Sequence, residues 1–292
     1  MEKAETGSNL ILQTQKARAQ YFTEDLGNGI GLDMVLVPAG RFLMGSSEDE
    51  PERSEQEGPQ HWVSVPSFFM GRYPVTQQQW RAVASLEPIE RELRLDPSHF
   101  KGDDRPVEQV SWYDSQEFCD RLSQMTGRDY RLPSESEWEY ACRAETTTPF
   151  FFGETITPEL ANYRATTPFG IGPVGNYREE TTPIGSFFAN AFGLSDMHGN
   201  VWEWCQDVWH ETYEGAPHDG SDWTIGGHDG SAWAIGGEEV FRILRGGAWY
   251  CEPKHCRSAK RNQYDPRYGT ANIGFRVVCV APPSEQETQS QM

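Results

Sequence analysis

Two cysteines pose the chemical question. Cys251 and Cys256 stand five residues apart in GGAWYCEPKHCRSAKRNQYDPRYGTANIGFRVV, residues 246–278. Soft thiolates at that separation can converge on one thiophilic ion such as Cu(I). A second reading draws on the same stretch. Tyr250, His255, Tyr264 and Tyr268, with the small run Gly269 to Ala271, have the aromatic-plus-small composition of adaptable contact surfaces. A third gives Cys256 a packing role, the usual fate of a free thiol, and leaves Cys251 at the surface.

Upstream, GNVWEW (residues 199–204) places a Gly-Asn turn before two tryptophans. In an extended segment Trp202 and Trp204 point to one face. The same turn carries Asp196 and Glu203, and hard cations want oxygens of this kind on irregular chain.

The elements that must position these groups are short. DMVLVPAGRFLMGSS reads as strand, turn and strand, and HWVSVPSFFMGRYPVT as another strand pair. Thr76 is placed to cap a helix beginning in QQQW. In SWYDSQEFCDRLSQMTG, Trp112, Phe118, Cys119 and Leu122 recur at helical spacing, which predicts an amphipathic helix closed by Gly127. Ser134 or Ser136 would cap a third helix whose first turn carries Glu135, Glu137 and Glu139, suited to the helix dipole. Beyond Thr146 the helical period is lost. There HDGSDWTIGG (218–227) is followed at once by HDGSAWAIGG (228–237), identical at eight of ten positions. Two units are too few for a solenoid, so this reads as a duplicated surface loop, with Trp223 and Trp233 as a lesser candidate contact patch.

The net charge of −19 argues against nucleic acid and anionic membrane surfaces as partners. No apolar run approaches a membrane span, and the N-terminal MEKAETGSNLILQTQKARAQ lacks a secretory h-region. The expectation is a cytoplasmic monomer with its six cysteines mostly reduced.

Five blocks in order carry a resemblance. They are MVLVPAGRFLMGS, then FFMGRYPVTQQQW, then RPVEQVSWYDSQEFCDRLS with RLPSESEWEYACRA, then AFGLSDMHGNVWEWCQD, and last RILRGGAWY with NIGFRVV. Together they resemble the sulfatase-modifying-factor family, the formylglycine-generating enzymes and their relatives. The resemblance implies a single loop-rich α+β domain akin to the C-type lectin fold. It is assigned to residues 28–280, after a polar leader (1–27) and before a disordered tail (281–292).

In catalytic members of that family two cysteines bind Cu(I), which activates O2 to oxidise a cysteine in a Cys-x-Pro-x-Arg peptide to formylglycine. Carried over, Cys251 is the exchanging thiolate and Cys256 the second copper ligand. Trp202 walls the cleft, and Arg245 or Arg276 braces the loop. The family's calcium sites fall on Asp196, Gly199, Val201 and Glu203, and on Asn162, Tyr163, Asn176 and Arg178, where Asn176 replaces an aspartate. Cys142 and Cys279 lie near positions that can form a disulfide in relatives, and are expected here as a buried thiol pair.

The chain also departs from the pattern. Ala248 replaces the serine of Gly-Gly-Ser, and Glu252 and His255 replace a histidine and a tyrosine. The motif Arg257-x-Ala259-x-Arg261 lies closer to the second cysteine than the family has it. Lectin-like relatives, including variable proteins of diversity-generating retroelements, display ligands from this segment, so a protein or peptide substrate and a displayed ligand both remain open. An iron-dependent sulfoxide synthase would need a His-x3-His-x-Glu triad, and none of the seven histidines is spaced so.

Overall fold

The computed structural model describes residues 18–224 and 240–280. The first seventeen residues, the second copy of the tandem repeat with Trp233, and the tail from 281 lie outside them.

Strands β1 (Tyr21–Asp25), β2 (Gly31–Val37), β5 (Phe68–Gly71), β11 (Val278–Val280) and β6 (Tyr130–Arg131) form one sheet in that spatial order. β3 (Gly40–Met44) and β4 (His61–Val65) pair with each other. The third sheet has the order β10 (Ile273–Gly274), β7 (Trp202–Val208), β8 (Arg242–Arg245), β9 (Arg261–Tyr264). Strand β1 falls within the stretch read as a polar leader. Its alternating exposure gave no apolar run to detect, yet it pairs residue for residue with β2.

The helices follow their caps. α1 (Gln77–Ala84) starts at Thr76, whose hydroxyl accepts from the Gln79 amide while Gln79 Oε1 accepts from the Thr76 amide. α2 (Trp112–Thr126) has the same reciprocal cap from Ser111 and Asp114, and Gly127 ends it at φ 71. Trp112, Phe118, Cys119 and Leu122 are all buried, each fully buried aromatic or leucine contributing roughly 1.5–3 kcal/mol.

α3 (Glu135–Arg143), capped by Ser134, corrects one expectation. Its first turn carries Glu135 and Glu137 but not Glu139, and all nine of its residues are buried, Glu135 and Glu139 included. Arg245 and Arg261 reach them from the C-terminal third of the chain, and Arg143 reaches Glu139 from one turn along the helix. Cys142 and Cys279 are both buried but are not a pair. Cys142 lies against His198 and Ser258, whereas Cys279 lies in β11 beside Tyr130, Arg128 and Glu24.

Among the described residues, no helix is long and apolar enough to cross a membrane.

Candidate functional site

β8 delivers the chain to Gly246 and Gly247, both at positive φ. That conformation suits glycine, and at Gly247 a Cβ would stand 2.6 Å from the Cys256 sulfur. Glycine here lets the second cysteine fold back onto the start of its own loop. The return is made by Pro253–Cys256, one short 3₁₀ turn with proline in its first turn.

The Ala248 amide faces both sulfurs and lowers the pKa of each. The Ala248 carbonyl meanwhile accepts from the Cys251 amide at 2.9 Å. Both thiols are buried, Cys251 at 5% and Cys256 at 0% exposure. Desolvation pushes Cys251 up to about 11 and Cys256 well above the ordinary thiol range. Both are therefore protonated and uncharged at neutral pH. Donors stand ready for the anion: the Trp202 indole and the Tyr250 hydroxyl face Cys251 and hold its pKa below where burial alone would put it. The Trp202 Nε1–H is buried and has no hydrogen-bond partner within ordinary geometry.

Around this core stands a wall. Trp249 donates to the Ala271 carbonyl at 3.0 Å and packs edge-on to Phe100 and Tyr250. Arg164 donates its amide to the Cys251 carbonyl and its guanidinium to Glu252 at 2.8 Å. The Glu252 carboxylate is thus engaged by Arg164 and Lys254. Behind, His198 contacts the Cys256 carbonyl through Nδ1 at 2.7 Å and accepts from the Phe151 amide. Burial among Phe150, Phe151 and Phe152 lowers its pKa to about 4, so it is a neutral strut. Sequence reasoning missed His198 and the Ala248 amide, because their contacts run through backbone atoms that no residue type encodes.

The two arginines expected to brace the loop divide the work. Arg245 donates to the Ser258 and Ala259 carbonyls just beyond Cys256. Arg276 instead pairs with Glu203 at 2.6 and 2.7 Å and reaches the Gly71 and Ser195 carbonyls. The motif arginines are also committed. Arg257 pairs with Glu50 and Glu57, and Arg261 with Glu135. The two ends of the loop therefore coexist: the arginines sit in their carboxylate sockets while Cys251 stays buried and the Cys256 sulfur lies against Gly247.

Of the contact set, Tyr250 and Tyr268 are exposed. Tyr264 is partly buried against the core, and His255, half-buried, has its pKa lowered first by burial and then by Lys260 and Lys254. The run Gly269 to Ala271 is pinned. The Gln109 amide donates to the Thr270 carbonyl, and a Cβ on Gly269 would stand 2.5 Å from the Val110 nitrogen.

The calcium assignments fare unevenly. Asp196 is buried, Oδ2 accepts from the Gly185 amide, and Oδ1 has no partner. Burial raises its pKa to about 6. The Gly199 amide donates to Gly246, and Val201 is fully buried. Glu203, however, spends both oxygens on Arg276 and one also on Trp138, so its carboxylate does not fit as a ligand. At the other set Asn162 Oδ1 is buried without a partner, and the buried Tyr163 donates to Ile156. Asn176 is exposed, while the Arg178 guanidinium caps the Pro158 carbonyl. Among the described residues no three His, Cys, Asp or Glu side chains converge as a metal cluster.

A buried dithiol beneath an aromatic wall, on a lectin-like α+β frame, defines the class. Residues 27–281 match the Sulfatase-modifying factor enzyme 1-like domain, and the chain belongs to that family. It is 30% identical to the formylglycine-generating enzyme of Mycobacterium tuberculosis, across 86% of this chain and 98% of that one. It is 29% identical to the serine/threonine-protein kinase pkn1 of Chlamydia caviae, where it covers 84% of its own length but only 37% of the relative. Among solved structures, PvdO from Pseudomonas aeruginosa aligns with TM-score 0.73 and 32% identity, over 89% of this chain and 98% of that chain. Treponema denticola variable protein 1 shares the fold, with TM-score 0.67 and 23% identity over 89% and 99%.

Proposed function

We propose that this chain is a copper-dependent oxidase that uses O2 to oxidise a cysteine of a protein or peptide substrate. The observation that carries the reading is two buried cysteines on one short turn, with the Cys256 sulfur folded back against Gly247. Two thiolates suffice for Cu(I), a soft ion that accepts low coordination, so the lack of a third ligand is no obstacle. Bound there, Cu(I) would supply the activation of O2.

The chain's own residues do the rest. Cys251, beside the exposed Tyr250, is the sulfur a substrate thiol can reach, and Cys256, fully buried, anchors the pair. The Ala248 amide, the Trp202 indole and the Tyr250 hydroxyl offset the charge that appears when both thiols release their protons. Phe100, Trp249 and Tyr250 screen that charge from water. Calcium, where bound, would be held by Asp196 Oδ1 with the carbonyls of Gly199 and Val201, leaving Glu203 with Arg276.

A second reading rests on the exposed Tyr250 and Tyr268 beside the pinned Gly269 to Ala271. Rigid loops bearing exposed aromatics suit a ligand-binding module without catalysis. One experiment separates the two. Reduced protein loaded with Cu(I) is given O2 and a Cys-x-Pro-x-Arg peptide, and mass spectrometry follows cysteine to aldehyde. Conversion that depends on Cys251 and Cys256 supports the oxidase. No conversion together with no Cu(I) binding overturns it and leaves the binding module.

A further inference from the structure

The tandem repeat plays no part in the cysteine site, yet its first copy is built into the fold. His218 lies along the edge of β4. Its carbonyl accepts from the Ser64 amide at 2.8 Å, its Nδ1 lies 3.0 Å from the Trp62 carbonyl, and its ring stands 5.5 Å from that of His61. Asp219 closes a small turn by accepting from the amide and hydroxyl of Ser221. Gly220, at φ +84, passes so close that a Cβ would stand 3.2 Å from the Ser64 carbonyl and from Pro66. Its own carbonyl accepts from Ser134, the cap of α3. The Trp223 amide donates to Asp207 at 2.9 Å, its carbonyl accepts from Val208, and its ring stacks on His210 at 3.6 Å. So Trp223 is not a free surface patch. Asp207 binds the α3 amide of Glu135 with its other oxygen, which ties the segment to the helix start.

The five residues described above in this dock (His, Asp, Gly, Ser and Trp of His-Asp-Gly-Ser-x-Trp) recur ten positions later as His228, Asp229, Gly230, Ser231 and Trp233. The connections allow exchange. Trp223 and Phe241 are hydrogen-bonded to neighbouring residues of one strand end, Val208 and Trp209. The described ends Trp223 and Phe241 therefore stand close together, at a separation that a seven-residue connection can span. On the other side Tyr213 is fixed to the Gly58 carbonyl, so ten extra residues would form a loop after Pro217. Loop-closure entropy varies only with the logarithm of length, so moving ten residues across the dock costs little. The two changes within the repeat replace Asp222 and Thr224 by alanine. Loss of Asp222 removes its attraction to Arg131 and Arg242, but also its repulsion of Asp207.

We propose that β4, Ser134, Asp207 and His210 form a recognition site for the motif His-Asp-Gly-Ser-x-Trp, for which the copy at 228–233 competes with the copy at 218–223 in the same chain. The loop between β7 and β8 then has two registers, ten residues apart, with one dock.

Non-additivity tests it. Gly220→Val and Gly230→Val each spoil the close passage of one copy, and the double variant spoils both. Thermal unfolding should fall by at most about 2 °C in either single variant and by about 6 °C or more in the double. Hydrogen exchange at the Val208 amide should stay slow in Gly220→Val, because the Trp233 carbonyl replaces that of Trp223, and become fast only in the double variant. The proposal is overturned if Gly220→Val alone gives more than half the fall of the double variant and exposes Val208. It is equally overturned if the double variant melts like the parent.

Discussion

The segment from Arg242 to Tyr264 holds two kinds of buried polar group, and they are built on opposite plans. Arg245, Arg257 and Arg261 are permanently charged, fully buried, and each meets carboxylates: Glu139 and Glu135, Glu57 and Glu50, and Glu135 again. Cys251 and Cys256, on the same stretch, are buried with neutral donors as their nearest partners, and the one cation acting on Cys251, Arg164, is already paired with Glu252. The arginine region is closed, with nearly every charge answered within the protein. The cysteine region is held uncharged, with an idle indole N–H. A fold can carry a reactive loop at low risk when the loop's anchors are charges that have nowhere else to go.

The sharpest way to break that contrast is to unpair the anchors. Arg245→Met leaves Glu135 and Glu139 short of a partner, and should cost about 3–5 kcal/mol in denaturant unfolding. A loss near 1 kcal/mol would show the network to be expendable. Cys251→Ser and Cys256→Ser should do the reverse. Each should abolish stoichiometric Cu(I) binding, read by competition with a chromogenic chelator, while costing only about 1 kcal/mol of stability. Retained binding in both would sink the copper site.

The pH dependence sharpens the same point. Since both thiols bind protons at neutral pH, metal binding must release them. Cu(I) affinity should therefore rise by up to about a hundredfold per pH unit across the neutral range, and flatten for Cys251 near its value of about 11. A flat profile would mean preformed thiolates. Trp202→Phe removes the idle N–H while keeping the wall. The alkylation midpoint of Cys251 should move up by about half a unit or more, and Cu(I) affinity should fall by roughly tenfold. An unchanged midpoint would leave Trp202 a packing residue. The smallest effect belongs to Asp196→Asn, which should remove any rise in melting temperature that calcium produces in the parent, about 2 °C. A calcium response that survives the substitution would place the cation elsewhere.

Much of the frame was legible because caps are local. Thr76 with Gln79, Gly127, and the serine before Glu135 each act within a turn of chain, so their signals stand side by side in the sequence. Strand β1 was not legible, since its residues alternate half-buried with exposed and owe their order to β2. The site divided along the same line. The cysteine spacing could be read directly. Two arginine partners of Glu135 and Glu139, Arg245 and Arg261, lie more than a hundred residues away, and the amide of Ala248 acts on both thiols whatever side chain it bears. Glu203 misled for a related reason: its type suits calcium, but Arg276 claims it through a contact 73 residues long.

β11 lies between β5 and β6, inside the five-stranded sheet rather than at its edge. During synthesis, then, β5 and β6 wait with facing edges unpaired until residues 278–280 leave the ribosome, and a sheet closed so late pays its loop entropy before its reward. The cysteine loop emerges only slightly earlier. For that interval its thiols lack the burial that the finished fold gives them, so the nascent chain is the form in which they stand open to solvent.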